Sequence, residues 1–489
     1  MKIAVTHSYY LRYDIKQWNI GRPYPPLGTL YAASWLLQNG YDVRFTDTMF
    51  YESPDQIKLA LQDRPDIFVL YDDGFNYLTK MCLTNMREAA FQMIRLASAC
   101  GAKVIVSSSD ATDHSTEYLE AGADFVLIGE AENTLLELVK ALEDECSDFS
   151  VIPGLVYRQE SILNRTKVRA VLKDLDLLPF PAWSLLDIEP YKKMWLKNAG
   201  YFSINIGTTR GCPYKCNWCA KPIYGNRYNA RSATNVIMEM KELKARFNFD
   251  HVWFCDDIFG LKPGWVQEFA HLAESQQLKF RFKIQSRADL LADETYVKAL
   301  ASAGCEEVWM GAESGSQKVL NAMDKGIKIE QIKLATRLLK ANKIKPCFFI
   351  QFGYPDEKKE DIQLTIQMIN ELLPHEIGIS VSYPLPGTVF YDRVKSQLGR
   401  KSNWTDSDEM ALMFKNTYSP SYYKKLHGFV HKNYRKHLAI ENFRSILRTP
   451  FQVTGSKIRK ALSWFYLFPA VLFSAKALRK LEKHDKQFG

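Results

Sequence analysis

The first part of the chain alternates short apolar runs with stretches of helical periodicity. Such runs are typical of strands buried on both faces of a parallel sheet. The predicted strands are Lys2–Thr6, Asp42–Thr46, Ile67–Tyr71, Lys103–Ser107 and Asp124–Ile128. The predicted helices are Leu27–Asn39, Pro54–Asp63, Asn85–Cys100 and Ser115–Ala121. The alternation predicts an α/β domain at residues 1–149, with a doubly wound parallel sheet that binds ligands at the carboxyl ends of its strands.

A second alternation follows a proline-containing linker at residues 150–200, where Pro179 and Pro181 block regular structure. Its predicted strands are Ser203–Gly207, Asp250–Phe254, Phe280–Ile284, Glu306–Met310, Pro346–Gln351 and Ile377–Ser382. Its predicted helices are Ser232–Phe247, Gly264–Gln277, Asp293–Ala303, Glu330–Asn342 and Lys358–Leu372. Residues 201–400 are therefore predicted to form a partial (β/α)6 barrel whose site lies at the carboxyl ends of the strands.

The C-terminal region, residues 401–489, is predicted to be helical and basic. Ser421–Gly489 holds 15 Lys and Arg against 3 acidic residues, whereas the whole chain has a net charge of +9. The apolar run Leu462–Ala475 has basic flanks, is shorter than the roughly 20 residues of a spanning helix, and is expected to be interrupted by Pro469. It predicts a membrane-interfacial anchor. The alternative is a C-terminal helix that docks on the barrel.

Composition places the chain among folded globular proteins. Hydrophobic residues make up 46% of its 489 residues and charged residues 24%. The N-terminal sequence MKIAVTHSYY resembles a first strand rather than a secretory signal. We therefore expect a cytoplasmic protein, in which clustered cysteines bind metal or carry redox chemistry. Six of the nine cysteines are isolated along the chain and are interpreted as core residues.

The remaining three cysteines, Cys212, Cys216 and Cys219, share one short loop, TTRGCPYKCNWCA, after a predicted strand. Structural zinc sites usually have four ligands, often as two separated pairs, and this loop has no fourth Cys or His. Three thiolates on a [4Fe–4S] cluster leave one iron open to S-adenosylmethionine (SAM), whose sulfonium can then accept an electron. A zinc site is the alternative. Trp218 can shield the cluster from water.

The loop resembles the signature of the radical SAM superfamily. From about residue 1 to 400 the chain is similar to the subgroup with an N-terminal cobalamin-binding domain, which includes the anaerobic magnesium-protoporphyrin monomethyl ester cyclase. Each further landmark is weak alone, but their order and spacing are specific. The landmarks are YPPLGTLYAASWL, FVLIGEAENTLLEL, FPAWSLLD, VWFCDDIF, QSRADL, GAESGS, FGYPDE and PLPGT.

The resemblance implies a SAM site built from several strand ends. Asp256 and Asp257 could accept hydrogen bonds from the SAM amino group or from substrate; the alternative is that they cap the next helix. Arg287, after Ser286, suits the SAM carboxylate, with a surface ion pair as the alternative. The remaining implied residues line the SAM site or shape the loop beside the adenine. They are Glu313, Ser314 and Gly353.

The resemblance also implies cobalamin between the N-terminal sheet and the barrel. Gly28, Gly129 and Glu130 match family positions at strand ends. The sequence lacks the D-x-H-x-x-G motif that supplies a lower histidine ligand, and the surroundings of His114 do not fit it. Ser107–Ser109 also stand where relatives commonly carry a glycine-rich turn. The alternative is a domain that has lost the cofactor.

The expected function is that of a radical SAM enzyme. It would cleave SAM to a 5′-deoxyadenosyl radical and methylate, cyclise or rearrange an apolar small molecule. The electron would come from a donor such as flavodoxin or ferredoxin. The alternatives are a cobalamin-free radical SAM enzyme, a tRNA methylthiotransferase and a nucleic-acid-binding protein with a structural cluster. The tRNA methylthiotransferase is disfavoured because Cys82, Cys100 and Cys146 are not placed for a second cluster. The nucleic-acid-binding protein is disfavoured because the SAM-site landmarks are intact.

Overall fold

The computed structural model describes residues 1–75, 82–221, 223–398, 403–405, 410, 412–448 and 454–488. Its first sheet has seven strands in the order β2-β1-β3-β4-β5-β6-β7. The strands are β1 Lys2–Thr6, β2 Asp42–Thr46, β3 Ile67–Tyr71, β4 Lys103–Ser107, β5 Phe125–Leu127, β6 Leu155–Gln159 and β7 Ile162–Arg165. The helices are α1 Ile15–Ile20, α2 Leu27–Gln38, α3 Lys58–Leu61, α4 Thr84–Ala99, α5 Ser109–Asp113, α6 Ser115–Glu120 and α7 Glu132–Glu143.

Helices cover both faces of this sheet, as the sequence predicts. On one face Phe68 and Val104 pack in the same core as Met93 of α4. On the other face Val69 packs in a core with Leu36 of α2. The strand order reverses between β1 and β3, and ligands of open α/β sheets bind at such a switch point.

The stretch predicted as a linker contains two further strands of this sheet. β5 and β6 pair antiparallel, as do β6 and β7. The sheet therefore runs past residue 149 to Arg165, and β6 runs antiparallel to both of its neighbours. Helix α8, Glu189–Ala199, then leads into the second sheet.

The second sheet has six strands in the order β15-β14-β13-β12-β11-β8, and all neighbouring pairs are parallel. The strands are β8 Ser203–Ile206, β11 His251–Phe254, β12 Arg281–Ser286, β13 Cys305–Glu313, β14 Lys345–Phe352 and β15 Glu376–Val381. The helices are α9 Ala233–Phe247, α10 Trp265–Ser275, α11 Ala288–Leu291, α12 Glu294–Ser302, α13 Gln317–Ala322, α14 Ile329–Ala341, α15 Lys359–Leu372 and α16 Val389–Val394. The predicted α/β fold with a partial barrel is confirmed.

A small antiparallel ribbon stands apart from both sheets. Its strands, β9 Thr209–Arg210 and β10 Asn229–Ala230, pair Arg210 with Asn229. The ribbon closes the loop that carries the three cysteines. Both ends of this loop are therefore fixed, although its interior is irregular.

The C-terminal region is helical, as predicted, and comprises α17 Pro420–Arg448, α18 Gly455–Leu462 and α19 Trp464–Phe488. The Tyr434 hydroxyl of α17 donates to the carbonyl oxygens of Pro374 and His375, at 2.8 and 2.7 Å. By length and composition, one helical stretch among the described residues, Gly455–Asp485, could cross a membrane; 22% of its most apolar window is buried. Pro469 does not interrupt the helix, contrary to expectation.

Candidate functional site: a three-thiol loop between two sheets

The cysteine loop lies at the carboxyl end of β8 and folds back on itself. Gly211 has φ +80°, and a Cβ at this position would overlap the carbonyl oxygen of Arg227. A side chain is therefore excluded immediately before Cys212. Cys212 is buried, Cys216 and Cys219 are half-buried, and none of the three is in a disulfide.

Charged groups surround these thiols. Burial raises the pKa of Cys212, and the backbone N–H of Tyr214 and the charge of Lys221 oppose that shift. Lys325 Nζ lies 2.7 Å from Glu313 Oε1 and 5.9 Å from the ring centre of Trp218. Burial lowers the pKa of Lys325, but the carboxylate of Glu313 and the charge of Cys216 outweigh it and raise the pKa overall. A buried cation therefore lies close enough to stabilise thiolate at Cys216.

The two aspartates after β11 differ in their surroundings. Asp256 is buried and accepts hydrogen bonds from the backbone N–H of Thr208 and Thr209, at 2.7 and 2.8 Å, and from the Thr208 hydroxyl at 2.6 Å. Burial raises its pKa to about 6, against these bonds. Asp256 thus fixes the start of the cysteine loop. Asp257 is exposed and close enough for its charge to affect Cys212.

Arg287 is held beside the cysteine loop rather than at the surface. Its guanidinium carbon lies 3.5 Å from the ring centre of Tyr214. Its Nε is 3.0 Å from Asp289 Oδ1, and Nη2 donates to the carbonyl oxygen of Lys325 at 3.0 Å. The surface ion pair considered as the alternative is therefore not observed, because Arg287 is 4% exposed. Ser286, its neighbour, is buried at the end of β12.

The other implied SAM-site residues occupy the end of β13 and the loops after β13 and β14. Glu313 has φ +57°, which is rare for a residue other than glycine and marks a conformation held by its surroundings. The Ser314 hydroxyl is 3.1 Å from that of Thr365 on α15 and accepts from the Ser316 N–H at 3.1 Å. Gly353, with φ +76°, donates its N–H to Glu357 Oε2 at 2.7 Å. These contacts fix the shape of the barrel mouth.

Several buried polar atoms at the barrel mouth have no partner among the described residues. They are Gln351 Oε1 at the end of β14, Ser382 Oγ just after β15, and Trp218 Nε1 in the cysteine loop. Unsatisfied buried polar groups are costly and usually mark a missing ligand or water. The mouth of the barrel therefore fits a polar ligand such as SAM.

The donor set also fits an iron–sulfur cluster. In the part of the chain that the structure describes, no three His, Cys, Asp or Glu are gathered around one point as a single metal ion would require. A cluster instead takes thiolates at separate corners. Cys212, Cys216 and Cys219 occupy one loop whose ends are fixed, and Lys325 supplies a compensating positive charge.

The carboxyl end of the first sheet forms a second candidate site. The N–H of Gly28 donates to Asp73 Oδ1 at 3.1 Å, and a Cβ on Gly28 would lie 3.2 Å from Asp73 Cα. Gly129 has φ +75°, and a Cβ there would lie 3.4 Å from the carbonyl oxygen of Ile223. The buried hydroxyl of Ser109, after β4, has no partner among the described residues. The two glycines let neighbouring loops pack closely at this end of the sheet, and the unsatisfied Ser109 hydroxyl fits a ligand there, such as cobalamin.

His114 does not stand free at this site. It begins α6, and its Nδ1 lies 3.3 Å from Glu117 Oε1. Ser108 caps α5, since its hydroxyl accepts from the Ala111 N–H at 2.8 Å. The loop after β4 is thus built by helix caps in place of a glycine-rich turn.

Arg210 connects the two sites, and the sequence alone did not single it out. Its guanidinium forms ion pairs with Glu130 and Glu132, the latter at 2.6 Å, and all three side chains are at most 7% exposed. Arg210 also lies over the rings of Tyr31, Phe75 and Tyr224. Its place directly before Gly211 and Cys212 was the one available signal. The sequence alone also missed Lys325, because Glu313 and Trp218, which lie beside it, come from a different strand and a different loop.

The model of the family described as "Radical SAM superfamily" matches residues 206–369, which include the cysteine loop. The chain is 25% identical over 464 residues to an uncharacterized methyltransferase of Pyrococcus horikoshii, covering 93% of this chain and 90% of the relative. It is 24% identical over 375 residues to the anaerobic magnesium-protoporphyrin IX monomethyl ester cyclase of Synechocystis, covering 75% and 72%. The radical SAM methyltransferase TsrM of Kitasatospora setae, solved with cobalamin and a [4Fe–4S] cluster, aligns with TM-score 0.68 and 18% identity, covering 81% of this chain and 75% of TsrM.

Residues 206–369 therefore match a radical SAM domain, and the relatives indicate an enzyme of that type. The similarity to a methyltransferase and to the magnesium-protoporphyrin cyclases, together with a fold like that of TsrM, confirms the resemblance read from the landmarks. The TsrM alignment concerns the fold, which includes both the sheet ahead of the barrel and the barrel itself.

Proposed function

We propose that the chain is a cobalamin-dependent radical SAM enzyme that methylates or cyclises an apolar small molecule in the cytoplasm. The observation that carries this proposal is the loop with Cys212, Cys216 and Cys219, closed by a ribbon at the barrel mouth inside a radical SAM domain. The names of the relatives, which include a methyltransferase and a cyclase, support the two reaction types.

The three cysteines would hold the cluster, and the barrel mouth would hold SAM. When bound, the cluster supplies one electron to the SAM sulfonium, whose cleavage gives a 5′-deoxyadenosyl radical. Lys325 stabilises negative charge at Cys216. Asp256 fixes the start of the loop through Thr208 and Thr209. Asp257, exposed beside Cys212, is placed to accept a hydrogen bond from the SAM amino group.

Other residues would orient SAM and exclude water. Arg287 provides positive charge beside the loop, and Tyr214 covers one face of its guanidinium. Trp218 shields the loop and leaves its indole N–H available as a donor. Gln351 and Ser382 offer unsatisfied buried atoms at neighbouring strand ends. At the other sheet, Gly28 and Gly129 would shape the loops that border cobalamin.

The face of the barrel sheet opposite its helices supports an apolar substrate. Trp309 and Phe349 alternate along their strands with residues that pack against the helices, such as Phe348 and Ile350. Their rings stack with centres 4.7 Å apart, and Phe349 remains 37% exposed. A partly exposed aromatic pair of this kind provides a flat apolar surface. The electron would come from a small donor protein such as flavodoxin or ferredoxin.

Anaerobic reconstitution with iron, sulfide and hydroxocobalamin tests the proposal. We expect about four irons per chain and one cobalt, and 5′-deoxyadenosine formation from SAM with dithionite. Replacing Cys212, Cys216 and Cys219 by Ala should abolish iron binding, whereas the exposed Cys100→Ala and Cys146→Ala variants should retain it. Iron retained without the three thiols would contradict the cluster assignment. Full iron without cobalt would favour the alternative, a cobalamin-free radical SAM enzyme.

A further inference from the structure

We propose that the outer face of α18 and α19 docks on an anionic lipid leaflet, so that the enzyme is a peripheral membrane protein. This inference goes beyond the proposed chemistry and does not depend on which substrate is used. It rests on the two faces of α19, the position of its charges and the length of its apolar patch.

The inner face of α19 is fixed to the rest of the protein. Leu467, Val471 and Leu478 are buried, at intervals that place them on one side of the helix. Lys432 of α17 donates to Ser474 Oγ at 3.1 Å. Farther along, Glu482 pairs at 2.9 Å with Lys359 of α15. The inner face therefore packs on the rest of the protein, as expected for a docked C-terminal helix, one of the two alternatives for this segment.

The outer face of α19 and the end of α18 carry a cluster of exposed apolar side chains, the outer patch. Its members are Leu462 (52% exposed), Phe465 (64%), Tyr466 (65%), Phe468 (43%), Leu472 (56%) and Phe473 (75%). Soluble surfaces rarely gather this many large apolar residues, and such patches mark interaction sites. The docked helix and the interfacial anchor, the two alternatives read from the sequence, are therefore compatible on opposite faces.

Basic residues bracket the outer patch. Arg459 and Lys460 precede it and are exposed. Lys476 and Lys480 follow at helical intervals from Leu472 and Phe473, and they are also exposed. An apolar surface with basic flanks suits a leaflet in which the aromatic rings enter the headgroup boundary and the cations meet lipid phosphates.

The acidic residues of this segment are turned toward the protein. Gly455–Phe488 contains two acidic residues, Glu482 and Asp485. Glu482 pairs with Lys359, and Asp485 Oδ2 accepts from the Ser419 N–H at 2.9 Å. The outer face therefore presents positive charge. Two copies joined through it would bring like charges together, whereas anionic lipid complements them.

The patch is too short to cross a bilayer. From Leu462 to Phe473 a helix rises about 17 Å, against about 30 Å of hydrocarbon. Crossing would also require the ion pair of Glu482 with Lys359 to separate. The helix therefore lies along one leaflet.

Vesicle flotation of the full-length reconstituted enzyme tests this inference. The probes are phosphatidylcholine vesicles with and without phosphatidylglycerol. We expect binding to the anionic vesicles, a loss of at least about tenfold in Phe465→Gln/Phe473→Gln, and a loss of about fivefold for each charge removed in Lys476→Gln/Lys480→Gln. The matched control is Leu59→Gln/Met238→Gln, which replaces two exposed apolar residues of other helices (61% and 57% exposed) and should bind normally.

Three outcomes would overturn the inference. One is vesicle binding that the Phe465→Gln/Phe473→Gln change leaves intact. Another is a dimer in light scattering that this change dissociates, because the patch would then be a subunit interface. The third is retention in cell membranes after alkaline carbonate washing, which indicates a spanning helix. The iron and cobalt contents of the same samples report on the proposed function separately.

Discussion

The two sheets end in sites of opposite character. At the barrel mouth, Gln351 and Ser382 keep buried polar atoms without partners among the described residues, and three thiols share one loop. At the first sheet, Ser8 donates to Asp72 and Gly28 donates to Asp73, while the Ser109 hydroxyl has no partner among the described residues. The barrel mouth thus depends on specific ligand atoms, whereas the first site offers mainly a shaped surface.

This difference explains which site the sequence reveals. Ligand atoms must come from particular residue types, so three cysteines in one loop identify the barrel site directly. A surface built from glycines and helix caps leaves a weaker pattern in the sequence. The cobalamin site was therefore inferred from the order and spacing of several landmarks along the chain. Arg210, which joins the two sites, belongs to neither pattern.

The largest effect is expected from Arg210→Met, which removes the connection between the sites. The change would leave Glu130 and Glu132 buried without their cation. Breaking a buried pair in this way costs about 3–5 kcal/mol in the free energy of unfolding. Urea denaturation followed by circular dichroism measures it. Arg337→Met, at an exposed position of α14, should change stability little, and equal stability of the two variants would contradict the bridging role of Arg210.

An intermediate effect is expected from Gly28→Ala, which tests whether the first site works by shape. The new Cβ would lie 3.2 Å from both Asp73 Cα and Gly74 N, so α2 or the loop after β3 must move. We expect cobalt per chain to fall while iron per chain is unchanged. Gly428→Ala, in α17 where a Cβ would meet nothing within 4 Å, is the control. Unchanged cobalt binding in Gly28→Ala would remove Gly28 from the cobalamin site.

The smallest effect is expected from Glu357→Gln at the barrel mouth. Burial raises the pKa of Glu357 from 4.5 to about 8. Because the folded-state pKa is the higher one, the stability that Glu357 contributes is fully present below pH 4.5 and is lost as the pH rises through about 8. Between pH 6 and 7, inside this window, the wild type should lose about 1.4 kcal/mol relative to Glu357→Gln.

Thermal and urea unfolding at pH 6.5 and pH 9 measure this effect. The exposed Glu330→Gln variant should follow the wild type at both values. A Glu357→Gln protein with the same pH dependence as the wild type would show that this carboxyl group stays ionised.

Most of the fold could be predicted because buried parallel strands are uninterrupted apolar runs. β1, β2, β3 and β4 have the predicted limits. β7 was missed because its side chains are largely exposed and give no apolar run. Pro54–Asp63 was predicted as one helix, but the structure has a 3-10 turn at Pro54–Ile57 followed by α3.

Tertiary packing accounts for the remaining differences. Pro469 removes a backbone donor from α19, but Leu467 and Val471 on either side of it are buried against the protein and keep the segment helical. At the site, the sequence identified the thiols. It could not show that Asp256 accepts from Thr208 or that Lys325 pairs with Glu313, because both contacts depend on how separate loops come together.

The bridge from Arg210 to Glu130 and Glu132 has a consequence for synthesis of the chain. During translation the first sheet leaves the ribosome before the cysteine loop, and N-terminal domains generally fold first. The two carboxylates can therefore be in place when Arg210 emerges, about 80 residues later. A chain that begins at residue 201 would bring Arg210 to the cysteine loop without either partner. The N-terminal domain would then act as an internal assembly template for the loop that receives the cluster.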